Sequence, residues 1–93
     1  MEYTLPNNKN LILEIFERLT KEVEETYAKV ILSIRTFTED ISVDFLHYSD
    51  YYEHGNRTLT FYPFSSEEKL MQQERIAMDV LHNNGLIERE ANF

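Results

Sequence analysis

The chain has no cysteine and no tryptophan, only two glycines and two prolines, and nine Lys and Arg against 17 Asp and Glu. The missing cysteines exclude disulfide frameworks, thiolate zinc sites, iron–sulfur clusters and thiol nucleophiles together, and they fit a reducing compartment. Apolar runs such as Leu11-Ile12-Leu13 and Val30-Ile31-Leu32 stop at three residues, far short of the roughly 20 that span a bilayer. The opening Met1-Glu2-Tyr3-Thr4-Leu5 lacks the basic and then apolar regions of a signal peptide. A cytoplasmic location is therefore expected, and the Asn56-Arg57-Thr58 triplet is expected to carry no sugar. With glycine only at positions 55 and 85 there is no phosphate-cradling loop and no Gly-x-Ser-x-Gly elbow. The deficit of positive charge, net −8, argues against direct binding to nucleic-acid backbones or anionic membranes, where affinity grows with Lys and Arg.

What is present is a foldable composition. At 42% hydrophobic and 13% aromatic residues the chain is too apolar for a disordered acidic tail. Its 93 residues suit a single domain, residues 1–93, that buries roughly two thirds of its unfolded surface.

Ile12, Phe16, Leu19, Val23 and Tyr27 recur at steps of three and four and predict a helix over 8–28, capped by Asn7 or Asn8. Glu14–Arg18, Glu17–Lys21 and Glu25–Lys29 would support it at four-residue spacing. The period then becomes two. Val30, Leu32 and Ile34 predict one strand, Ile41, Val43 and Phe45 a second, and residues 57–62 a third, with 49–56 as a longer hairpin loop. Pro63 stops the last strand, and Ser65 followed by Glu68 reads as a capping box for a helix over 66–83 that ends at Asn83-Asn84-Gly85. Residues 86–90 are left as a short strand or a tail. The predicted class is α+β, in α-β-β-β-α order: a three-stranded antiparallel sheet with two helices packed on one face.

The face away from the helices would hold Ser33, Arg35, Ser42, Asp44, Thr58 and Thr60 together with Phe37, Leu46, Tyr48 and Tyr62. An apolar cluster on an open sheet face marks an interface, so Phe37, Leu46 and Tyr62 are candidates for a homodimer face; cross-strand pairing of aromatics accounts for them equally well.

Charge is uneven along the chain. From Arg35 to Arg57 run Glu39, Asp40, Asp44, Asp50 and Glu53 without one Lys or Arg, interleaved with Tyr48, Tyr51 and Tyr52. Glu22, Glu24 and Glu25 lie where the dipole of the first helix disfavours acids, a small cost that points to a use outside helix stability. Carboxylates two apart on a strand sit about 6.6 Å from each other, a spacing commensurate with nucleic-acid phosphates. Such a surface can occupy a basic groove built for DNA or RNA, with tyrosines as anchors. In style the chain resembles phage-encoded inhibitors of host defence, anti-CRISPR proteins among them, which are often small acidic domains; no motif carries that likeness. Residues 83–89 and the helix before them also resemble the helix-to-wing junction of winged-helix regulators, over about a dozen residues and without a basic recognition helix.

The expected function is that of a non-enzymatic interaction protein that inhibits or sequesters a basic, nucleic-acid-handling partner. Glu39, Asp40, Asp44, Asp50 and Glu53 would carry the charge, and Tyr48, Tyr51 and Tyr52 would anchor. Three alternatives stand beside it: an ordinary solvated acidic surface, a homodimeric accessory or antitoxin/immunity-like protein using the open sheet face, and a small metal-dependent enzyme built on Asp44, His47, Asp50, Glu53 and His54. The last is disfavoured, because the spacing matches neither an EF-hand nor a His-Glu-x-x-His helix. No cofactor is expected.

Overall fold

In a computed structural model, which describes residues 6–88, the chain runs α1 (Lys9–Val23), β1 (Val30–Thr36), β2 (Ile41–Tyr48), β3 (Asn56–Phe61) and α2 (Glu67–Asn83). The strands form one antiparallel sheet with β2 in the centre, and the helices cover one of its faces. The predicted α+β class and element order are those of the protein. Alternation along the strands sends Val43, Phe45, Leu59 and Phe61 under the helices, where Ile12, Ile15 and Leu19 of α1 and Leu70, Ala77, Val80 and Leu81 of α2 meet them. Each such valine, leucine, isoleucine or phenylalanine stabilises by about 1.5–3 kcal/mol relative to exposure. Burial fades along β1, from half-buried Val30 and Leu32 to exposed Ile34.

The helices differ from expectation at their ends. α1 stops at Val23 rather than 28, because Glu25 N–H turns back to Glu22 O (3.1 Å) and the Thr26 hydroxyl donates to Leu81 O (2.9 Å) at the end of α2. Tyr27, placed by periodicity on the buried stripe, is therefore fully exposed, and Ile15 takes its share of the core. Lys29 no longer lies one helical turn beyond Glu25. Asn8 occupies the N-cap without a side-chain cap bond; its amide instead donates to Ser65 O (2.8 Å), while its N–H reaches Pro63 O (2.8 Å). The cap of α2 is Ser66, which accepts from Lys69 N–H (3.1 Å), so no reciprocal Ser65–Glu68 box forms; Ser65 is buried in the preceding turn. At the other end Asn84 adopts the left-handed conformation (φ 55°) that stops a helix. Residues 84–88 follow without regular structure and supply no wing strand; 89 and 90 lie outside the described residues.

A two-pronged ion pair joins the two helices midway along α2. Arg18 Nε and Nη2 donate to Glu74 Oε2 (2.7 Å) and Oε1 (2.9 Å), a two-pronged contact with a buried carboxylate. That bond holds the Arg18 guanidinium above its ordinary pKa. It takes Arg18 away from the predicted Glu14 pairing, whereas Glu17–Lys21 forms at 3.9 Å. Arg18→Ala strands the Glu74 charge and should cost roughly 2 kcal/mol, below the value for a fully buried pair because Arg18 is half exposed. Combining it with Glu74→Leu should restore most of that loss, as read by urea denaturation.

Candidate interaction surface

Strand direction divides the charged residues between two ends. The β1–β2 turn closes with Phe37 N–H on Asp40 O (2.7 Å), and Lys9 Nζ donates to Glu39 O (2.8 Å). Glu39 and Asp40 therefore sit at the end where α1 and α2 begin. Asp50 and Glu53 lie in the β2–β3 loop, beyond the eight residues of β2, roughly 24 Å away. Asp44 is midway and is neutralised. Its Oδ2 is 2.7 Å from Arg35 Nε, and its Oδ1 accepts from the Thr60 hydroxyl (2.7 Å). The five predicted carboxylates do not form one surface.

A different grouping exists at the far end. The connector from α1 to β1 lies beside the β2–β3 loop, because Tyr48 N–H bonds Lys29 O (2.9 Å) and Thr26 is tied to Leu81. Glu24 and Glu25 from the connector thus share one pole with Asp50 and Glu53, and all four are exposed. Tyr27 is fully exposed there, Tyr51 is 87% exposed, and Tyr48 is partly so. Tyr48 and Tyr51 border a recess of about 320 Å³ with Lys29, His47, Val80 and Leu86. Glu22 is turned aside to His82 Nε2 (3.1 Å) in the last turn of α2. Tyr27 was missed as a surface group because its spacing imitates a helical stripe; the signal against it is the Thr26-Tyr27 pair just before a β-branched run.

Tyr52 is a structural residue, not an anchor. It is 5% exposed. Its hydroxyl accepts from Ile87 N–H (2.7 Å) and lies 2.8 Å from His47 Nδ1. The hydroxyl can serve either tautomer of His47, donating to Nδ1 or accepting a second hydrogen bond from it. The His47 ring stands edge-on to Tyr52 (5.4 Å), Arg57 covers the Tyr52 ring (5.0 Å), and Arg57 also donates to Ile87 O (2.7 Å). Loop, central strand, β3 and the segment after α2 are joined there. Asp44 lies on the opposite face of the sheet from His47, and His47 is committed to Tyr52, so the imagined metal set is dispersed. Among the described residues no group of three metal-ligating side chains occurs, and no helix is long and apolar enough to cross a membrane.

The open face is striped. Register places Ile31, Leu46 and Thr58 in one row and Ser33, Asp44 and Thr60 in the next, with Arg35 and Ser42 beyond. Tyr62, stacked on Phe64 at 4.9 Å, follows β3 at that last end, and Phe37 follows β1. The Arg35–Asp44–Thr60 network separates Leu46 from Phe37 and Tyr62, so the predicted dimer face is not one apolar patch. Ser42 is fully buried and its hydroxyl has no hydrogen-bond partner among the described residues. Ser42→Ala should leave stability unchanged or raise it by about 1 kcal/mol, since it removes an unsatisfied buried group.

Tyr52→Phe strands the Ile87 N–H and should cost about 1–3 kcal/mol in urea denaturation. Burial also pushes the His47 imidazole below its ordinary 6.5. The folded protein then takes up this proton only at lower pH than the unfolded chain does. Stability from this site is complete above the unfolded value and declines as pH falls from about 6.5 through the lower folded value. A pH series against His47→Gln should show the variant lacking that component. Compared with protein-family models, with curated proteins and with solved structures, the chain matches none.

Proposed function

We propose that the protein is a non-enzymatic, acidic interaction protein that inhibits or sequesters a basic, nucleic-acid-handling partner, with the pole of Glu24, Glu25, Asp50 and Glu53 as its contact surface. The observation that carries the reading is the exposure of Tyr27 and Tyr51 beside those four carboxylates. Large rings held in water at one end of a small domain are suited to desolvation by a partner. The net charge of −8 draws a cationic protein in from a distance and speeds encounter. A phosphate-like lattice of acids along β2 is no part of this reading, because Asp44 is paired with Arg35 and Glu39 and Asp40 sit at the other end. The pole instead supplies attraction and aromatic contact.

The test is capture of partners from a native-host lysate on immobilised protein, followed by affinity measurement with the purified partner. Binding should weaken steeply as salt rises from about 50 to 200 mM. Asp50→Lys with Glu53→Lys, and separately Tyr51→Ala, should each reduce affinity at least roughly tenfold. Glu39→Lys with Asp40→Lys, at the opposite end, should change it by less than about threefold. Equal losses at both ends would overturn the assignment of the pole.

A further inference from the structure

Among the described residues, no strand pairs with the outer edge of β1. In an antiparallel pair, alternate residues turn both backbone groups toward the neighbour and the others turn them away. Tyr48 N–H bonds Lys29 O and Phe37 N–H bonds Asp40 O, so the odd-numbered residues of β1 face β2. Val30, Leu32, Ile34 and Thr36 therefore present their N–H and C=O groups outward. None of them has a hydrogen-bond partner among the described residues. The β3 edge is different: Gln73 Nε2 donates to the outward Thr60 O (2.9 Å), and Arg57 ties the segment after α2 close by.

Side chains and charge at the β1 edge point the same way. Ile31 is 51% exposed on the open face, Ile34 is 39% exposed on the helix-bearing face, and Phe37 is 54% exposed just beyond the strand. Proteins usually guard such an edge with charged side chains, proline or a bulge; here Arg35 is the single charge within the strand. Residues 28–38 contain Lys29 and Arg35 and no acid, an interruption in a chain of net charge −8. It is the strip along which two copies approach with least repulsion.

We infer that β1 is a self-pairing edge, where a second copy of this chain adds its own β1 antiparallel to form a continuous six-stranded sheet. A twofold axis at Ser33 uses all four outward residues: Leu32 pairs with Ile34 of the second copy and Val30 with Thr36, both as hydrogen-bonded pairs. Ser33 then faces its own equivalent as a non-hydrogen-bonded pair, where a small side chain suits the closer approach. Leu32 and Ile34 cover one another beside the helix layer, and Ile31 lies against the stem of Arg35. Glu24, Glu25, Asp50 and Glu53 take no part in these pairs.

Light scattering over a concentration series tests it. The wild type should reach a mass near twice 11.2 kDa, and added salt should strengthen the association by screening the like net charges. Ile34→Lys alters an exposed side chain, so its far-UV spectrum should be unchanged while self-association weakens by roughly tenfold or more. The chain has no cysteine, which makes a second measurement clean. Ser33→Cys should form a covalent dimer on mild oxidation, since directly opposed β carbons in such a pair sit within disulfide reach. Thr58→Cys, exposed on β3, should not. A wild type that stays monomeric at millimolar concentration overturns the inference. So does a dimer that survives Ile34→Lys, or one that crosslinks as readily through Thr58→Cys as through Ser33→Cys.

Discussion

The hydroxyl of Tyr52 is the point on which one end of the molecule depends. It satisfies the Ile87 N–H and the His47 Nδ1 at once, in a place where either group left alone would be a buried, unpaired polar atom. Those two bonds tie the β2–β3 loop to β2 and to the segment after α2. Arg57 closes the arrangement from above the ring and from Ile87 O. The display of Tyr48, Asp50, Tyr51 and Glu53 rests on this buried ring, which lies within four residues of each. Burial favours the neutral form of the His47 imidazole, so protonation there opposes the fold.

Charge is arranged by the same economy of partners. Where an acid falls on the covered or central part of the molecule, a cation is supplied: Arg18 for Glu74 between the helices, and Arg35 for Asp44 on the open sheet face. The exposed acids of the turns and connectors fall at two ends, Glu39 and Asp40 at one and Glu24, Glu25, Asp50 and Glu53 at the other. Glu67 and Glu68 in the first turn of α2 and His82 in its last turn follow the helix dipole. Glu24 and Glu25, past the end of α1, run against it.

The two sheet edges complete the division. β3 is partly closed by Gln73 and by the bonds of Arg57, whereas β1 keeps a row of outward backbone groups and two exposed isoleucines. The polar network of Arg35, Asp44 and Thr60 keeps the open face from being continuously apolar. A face of that kind offers little area for flat docking, and a strand edge offers directed hydrogen bonds instead. Partner recognition at the acidic pole and strand pairing at β1 would use surfaces that do not overlap.

Local pattern in the chain was enough to determine the element order, the antiparallel meander and the inward sets Val43, Phe45, Leu59 and Phe61, because period and turn chemistry act between near neighbours. Asn84 as the stop of α2 was legible for the same reason. The end of α1 was not: Tyr27 continues the helical spacing, and only the bond from Thr26 to Leu81, 55 residues away, turns the chain out. Nor was the fate of the acidic, tyrosine-rich stretch. Residues adjacent in sequence are carried to opposite ends by a strand of eight residues, and the partner that neutralises Asp44 or buries Tyr52 comes from another element. Which carboxylates share a surface is a question of distances across the fold, and those are decided by tertiary packing alone.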